Sequence, residues 1–184
     1  MKEFTVHSRE EWREWLQKYH LVEEKVLLIS YKRHTGKSFL PHQEQVKEAI
    51  CFGWIDTTIK RIDENRFGRT FVKRKPTANW SKNTLQYAKE LFEAGVMSSY
   101  GKQVYLQGKI KKPLDHGVPK VFTVPEDLMD AFNKNKKAKA VFDAYPPSAK
   151  KVHLKWLFLA KRPATRHKRI RQIIEAAAKG KKVW

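Results

Sequence analysis

The sequence has little cysteine, no long apolar run and few acidic residues. Cys51 is the single cysteine, which excludes an intramolecular disulfide and a zinc site built on several cysteines. A reducing compartment is the simplest expectation. The apolar stretch Trp156–Ala160 is far too short to span a bilayer, and the polar start Met1–Ser8 lacks the apolar centre of a signal peptide. These absences predict a cytoplasmic protein without a membrane span.

The common catalytic motifs are also missing. The sequence contains no Walker loop, no dinucleotide-binding glycine pattern, no Gly-x-Ser-x-Gly and no His-Glu-x-x-His. The seven histidines are scattered, with no pair at a metal-ligand spacing. Cys51, between Ile50 and Phe52, is interpreted as a buried structural thiol. We therefore predict no cofactor and no metal site, and the sequence favours a protein that is not an enzyme without deciding the point.

Positive charge is the feature present in excess. Lys and Arg total 39 against 19 Asp and Glu, a formal net charge of +20. Such a surface attracts polyanions, so nucleic acid, anionic membrane surfaces and phosphorylated metabolites are candidate partners. A lysine-rich surface that only keeps the protein soluble is an equal alternative, and a protein partner and the oligomeric state stay open.

Hydrophobic periodicity predicts the order α-β-α-β-β-α followed by helices only. Ser8 and Glu11 form a capping box before the first helix, and Ser81 or Asn83 caps the third. Thr123 with Glu126, and Ser148, are the predicted caps of two later helices. The fold class is therefore α+β, a small antiparallel sheet covered by helices, with an all-helical C-terminal module. The predicted strands are Val26–Tyr31, Trp54–Ile62 and Phe67–Arg74. The predicted second helix lies between Pro41 and Gly53.

The best internal boundary is a basic segment with Pro113, Gly117 and Pro119. It predicts an α+β domain over residues 1–108, a linker over 109–124 and a helical module over 125–184 that packs on the first domain.

Two neighbouring segments in the first domain are candidate ligand-binding sites. Strict alternation along the strand from Trp54 places Asp56 and Lys60 on one face, where they could bind a polar ligand or form a simple ion pair. The run Arg74–Ser81 carries two cations, an amide and an indole into a helix start, which is typical of an anion site. The alternative is a Trp80 that packs in the core beside solvated cations. The candidate ligand-binding residues are Trp54, Asp56, Lys60, Arg74, Asn79 and Trp80.

A third candidate lies near the C-terminus, where Lys150–Trp184 contains twelve Lys and Arg and one acid, Glu175. The pattern fits either an exposed docked helix or a surface for nucleic acid or a protein partner. The candidate contact residues are Lys161, Arg162, Arg166, Lys168 and Arg169.

The same segments resemble the YdeI/OmpD-associated family, also described as bacteriocin-protection proteins. The resemblance spans about Glu11 to Gly180 and implies a link to envelope stress or bacteriocin tolerance but no defined reaction. The matching motifs are Trp15-Leu16, Ala49–Asp56, Phe71-x-x-Arg74-Lys75-Pro76-x-x-Asn79-Trp80-Ser81, Gly95-x-Met97, Tyr145–Ser148, Trp156-x-x-x-Ala160-Lys161-x-Pro163-x-Thr165-Arg166 and Arg169-Ile170.

The sequence thus predicts a non-enzymatic binding protein for an anionic ligand, with nucleic acid as the leading macromolecular candidate. The alternative is a small-molecule enzyme that uses Asp56 as acid or base, oriented by Lys60 or Arg74.

Overall fold

A computed structural model describes residues 1–181 of the chain. The chain divides into two compact units, Met1–Leu114 and Asp115–Trp184. The division falls within the segment 109–124 that the sequence marks as a linker. The prediction that the helical module packs on the first domain stays a prediction.

The first unit contains all four strands of the described chain and four of its helices. A single turn of 3₁₀-helix, Arg33–Thr35, follows β2. The elements are β1 (Lys2–Thr5), α1 (Arg9–Tyr19), β2 (Lys25–Tyr31), α2 (His42–Cys51), β3 (Trp54–Arg61), β4 (Arg66–Lys73), α3 (Lys82–Glu93) and α4 (Ser99–Lys109).

The strands form one sheet in the order β1-β2-β4-β3. The central pair β2–β4 and the hairpin β3–β4 are antiparallel, and β1 adds to β2 in parallel. The α+β class is confirmed, and the sheet is mixed rather than wholly antiparallel. β1 was not predicted because four residues with Phe4 as their one apolar side chain carry no readable alternation.

Local side-chain chemistry fixes several helix ends. Ser8 and Ser81 accept hydrogen bonds from the amides of Glu11 and Thr84, as their positions predict. After α2, Gly53 takes a φ of 73°, the left-handed conformation that ends a helix most readily with glycine.

Two predicted caps are wrong. The N-cap of α5 (Glu126–Asn133) is Pro125 rather than Thr123, and the N-cap of α7 (Pro147–Phe158) is Pro146 rather than Ser148. Neither N-cap residue accepts a side-chain hydrogen bond, because proline has no polar side chain.

The core of the first unit lies on one face of the sheet. Trp12, Trp54 and Phe71 are fully buried there, with Trp12 and Trp15 stacked at 5.3 Å between ring centroids. Each buried indole removes about 150–250 Å² from water, so this aromatic group accounts for much of the unit's stability.

The second unit is all helical. Its helix α8 packs against the three helices that precede it, and buried Leu128, Phe132, Phe142, Leu157 and Ile173 form its core. No helix between residues 1 and 181 combines the length and apolar character needed to cross a membrane. The remaining helices are α6 (Lys136–Asp143) and α8 (Pro163–Ala178).

Candidate functional site

A β-bulge in β3 separates two residues that strict alternation had placed together. Asp56 is opposite Phe71 and Ile59 is opposite Arg69, so Thr57 and Thr58 together face the single residue Thr70. Residues directly opposite each other in an antiparallel pair project from the same face. The extra residue therefore reverses the alternation beyond Asp56.

Lys60 consequently lies on the sheet face opposite to Asp56. It is directly opposite Gly68, whereas Asp56 is directly opposite Phe71, the buried core residue. The predicted pairing of Lys60 with Asp56 on one face is wrong for this reason. The exposed Lys60 side chain stays a candidate ligand contact only on the face away from the core.

Asp56 instead contacts an imidazole and a guanidinium. Its Oδ2 lies 3.0 Å from Nε2 of His42, at the start of α2, and accepts a hydrogen bond of 3.1 Å from Arg69. The Asp56 and Arg69 side chains are only 22% and 17% exposed, so solvent screens their pair less than a surface pair. His42 and Arg69 lie 14 and 13 residues away in sequence, and only the fold brings them together.

Trp54 is a core residue. It is fully buried, its Nε1 donates a hydrogen bond of 3.1 Å to the carbonyl of His20, and its ring meets Trp15 edge to face at 5.8 Å. Its polar atom and its ring face are thus both engaged within the unit. Trp54 therefore has no exposed surface with which to contact a ligand.

Arg74 and Trp80 form a buried stack. The guanidinium carbon of Arg74 lies 3.7 Å from the centroid of the Trp80 ring, and the two residues are 4% and 3% exposed. α4 passes close to the same indole, since a Cβ on Gly108 would clash with Nε1 of Trp80. The face of Trp80 that was predicted to stack on a ligand is therefore occupied by Arg74.

The guanidinium of Arg74 is poorly satisfied. Its one hydrogen bond to a described residue is donated to the carbonyl of Asn79 at 3.5 Å. Its Nε has no hydrogen-bond partner among residues 1–181. Burial lowers the pKa of Arg74 to about 10, although the negative charge of Asp56 acts in the opposite direction. The group stays protonated near neutral pH, so the unit holds a buried cation without a hydrogen-bonded carboxylate.

The remaining predicted residues around this cation are accessible. Asn79 is exposed, as are Lys75, Pro76 and Thr77 in the loop before it. Ser81 caps α3 through its own hydroxyl, so the free helix start that was predicted here as an anion site is already partly occupied. The site that the structure assembles is thus Arg74 beneath the loop 75–79.

A buried ion cluster nearby was not predicted from the sequence. Glu48 of α2 is fully buried and accepts hydrogen bonds from Arg9 and Arg13 of α1, the second at 2.6 Å. Cys51 is also buried, and burial with the adjacent Glu48 charge raises the pKa of its thiol to about 11. The thiol is therefore protonated at neutral pH, which agrees with a structural role. The spacing of Glu48 and Cys51 on α2 could have suggested a shared inward face.

The basic residues of the second unit divide into two groups. Arg166 pairs with both carboxylate oxygens of Asp127, and Arg169 donates to the carbonyl of Trp156 while it covers that indole at 4.8 Å. These two arginines connect helices of the unit. The other three candidates, Lys161, Arg162 and Lys168, are exposed.

Comparisons with known proteins give two matches along the chain. Neither a curated protein nor a solved structure matched. Residues 121–180 match the family model described as Bacteriocin-protection, YdeI or OmpD-Associated, which confirms the resemblance stated from the sequence. The motifs of the first unit lie instead within a separate family model. That model, Domain of unknown function (DUF8412), covers residues 4–104 and so more than half of the chain, and the protein belongs to this family, with a bacteriocin-protection, YdeI or OmpD-associated segment following it.

Proposed function

We propose that this protein is a non-enzymatic binding protein for a small anion, a carboxylate or phosphate, and that Arg74 is the group that binds it. The observation that carries the proposal is the buried guanidinium whose Nε has no hydrogen-bond partner among residues 1–181. Buried polar groups are nearly always hydrogen-bonded, and a buried charge without a partner is costly. An oxyanion would supply both the missing acceptor and the missing charge.

The surroundings support an anion rather than a cation. Asp56 contacts Arg69 and His42, so its charge acts on Arg74 without a hydrogen bond between the two side chains. Trp80 holds the guanidinium plane from one side, so the plane is pre-oriented and binding costs little side-chain entropy. Access would require movement of the exposed loop 75–79, and the exposed Asn79 in that loop would be a second contact for the oxyanion.

The test uses inorganic phosphate as the probe. We expect phosphate to raise the melting temperature of the natural protein above that in potassium chloride of equal ionic strength, with one bound ion in calorimetry. Arg74→Met should abolish this response. Arg74→Lys should remove most of it, because an ammonium cannot reproduce the planar fork.

The matched control is Arg33→Met, the same chemical change at an exposed arginine of the same unit. Its phosphate response should equal that of the natural protein. If phosphate raised the melting temperature of Arg74→Met as much as that of the natural protein, the proposal would be refuted. An equal reduction of this effect in Arg74→Met and Arg33→Met would also refute it, because it would show that the effect of phosphate depends only on net charge.

A second candidate function is nucleic-acid binding by the second unit. It is favoured by the charge distribution, since the segment from Lys150 has one acidic residue, Glu175, among its many cations. The slope of log affinity against log salt for duplex binding becomes shallower by about 0.9 for each phosphate interaction that is removed. A triple Gln variant of Lys161, Arg162 and Lys168 should flatten that slope, and an unchanged slope would exclude binding through these side chains.

The control for this second test is a triple Gln variant of Lys25, Arg33 and Lys37, three exposed cations of the first unit. It removes the same charge and should leave the slope unchanged. The enzymatic alternative based on Asp56 stays a prediction, with His42 and Arg69 as the neighbours of its carboxylate. The link to envelope stress or bacteriocin tolerance is likewise a proposal, supported by the match over residues 121–180.

A further inference from the structure

The second unit contains a cavity that the proposed function does not use. The cavity, of about 380 Å³, lies between the extended segment 120–124 and the first turns of α7. Its volume is within the range of small-molecule sites, about 300–1,000 Å³. Its residues all belong to the second unit, so it is separate in sequence from Arg74 and its loop.

One side of the cavity is apolar and backed by the core. Leu154 is buried, and Phe122 and Val124 pack against the same core cluster. Phe122 also contacts Phe158 with 5.8 Å between the ring centroids. The apolar wall is therefore supported from behind by packed side chains, and Val121, 80% exposed, lies at the open side.

The polar side of the cavity is cationic. Lys150 donates a hydrogen bond of 2.7 Å to the carbonyl of Asp143 and is thereby held in place. Lys120 and Lys151 are exposed, and their ammonium groups form no hydrogen bond or ion pair to another residue of the described chain. The described lining includes no acidic residue, so these ammonium groups are available to a ligand.

We propose that this cavity binds an amphipathic monoanion, a medium-chain carboxylate whose apolar chain lies on Phe122, Val124 and Leu154. Its head group lies between Lys120 and Lys151. A small inorganic anion would leave the apolar wall unused, and a neutral amphiphile would leave the two ammonium groups unused. The proposal does not depend on anion binding at Arg74, because the two sites share no residue.

The test compares decanoate with decanol, which has the same chain length and no charge, below the concentration at which either forms aggregates. Calorimetry measures the affinity, and methyl NMR signals of Val124 and Leu154 report the position. We expect saturable decanoate binding that shifts these methyl signals, with decanol bound at least tenfold more weakly. The double variant Lys120→Gln/Lys151→Gln should weaken decanoate binding about tenfold, since two solvent-exposed charge contacts together contribute about that factor.

A control variant removes two charges elsewhere in the same unit. Lys155→Gln/Lys137→Gln alters exposed lysines that do not line the cavity, and its affinity for decanoate should match that of the natural protein. Val121→Asp places a carboxylate at the open side and should weaken decanoate without unfolding the unit, because this side chain is mostly in solvent. Absence of saturable binding, equal affinity for decanol, or equal losses in the two double variants would each overturn the proposal.

Discussion

Replacing Arg74 with methionine should leave the free protein as stable as before or slightly more stable. The lowered pKa of Arg74, about 10, corresponds to a cost of about 3 kcal/mol for keeping the guanidinium charged in the folded state. Methionine removes this cost and retains an apolar stem of similar length. It also removes the stacking on Trp80, worth about 2 kcal/mol for a desolvated cation over an aromatic ring. We therefore expect a change in unfolding free energy between zero and a gain of about 1 kcal/mol.

The measurement is urea unfolding at pH 7, monitored by circular dichroism, in buffer free of phosphate and carboxylates. The dependence of the unfolding free energy on urea concentration should be equal in the variant and the natural protein. The cost of the charged Arg74 guanidinium is fully present below pH 10 and is relieved as the pH rises through its folded-state pKa. The difference in unfolding free energy between Arg74→Met and the natural protein should therefore become smaller above pH 10. A decrease of about 3–5 kcal/mol in Arg74→Met would refute the reasoning. That is the cost of breaking a satisfied buried ion pair, and it would mean that Arg74 has a partner in the folded protein.

Three further outcomes are expected. Gly108→Ala should lower the melting temperature by several degrees in a thermal scan, because its Cβ would meet Nε1 of Trp80 at 2.1 Å, whereas an unchanged value would mean that the indole moves freely. The pKa of Cys51 is raised from 9.0 to about 11, so this thiol contributes stability below pH 9 that is lost as the pH rises toward 11. In Cys51→Ala the free energy of unfolding should therefore fall less steeply over this pH range than in the natural protein, and an identical slope would contradict the burial of the thiol. Asp127→Asn should lower the melting temperature slightly at pH 7, because it removes the carboxylate that holds Arg166, and the difference should vanish at acid pH, where protonation of Asp127 breaks the same pair.

The elements with local signals were predictable from the sequence. The Ser8 and Ser81 caps and the left-handed Gly53 each depend on a few adjacent residues, and the fold class follows from the order of such elements. The caps at Thr123 and Ser148 failed because each lies close to a proline that was equally able to begin the helix. At both helix starts two nearby residues were suitable N-caps, and the neighbouring residues did not distinguish between them.

The candidate site was less predictable because it depends on distant contacts. The bulge at Thr57 and Thr58 is set by the pairing with β4, so the position of Lys60 could not be read from β3 alone. α4 approaches Trp80, the ring on which Arg74 stacks, and the approach is close only because residue 108 is glycine. The sequence indicated the right segment, Arg74–Ser81, but not which of its side chains would be enclosed.

The bulge in β3 also bears on how this hairpin can vary in length. Because Ile59 is already opposite Arg69, and Lys60 opposite Gly68, deletion of either Thr57 or Thr58 would convert the bulge into a regular ladder without changing the face of any other residue. The strand would become one residue shorter and less twisted locally, and the core contacts of Asp56 and Trp54 would persist. In an alignment with shorter relatives, a gap of a single residue within β3 is therefore expected at this position.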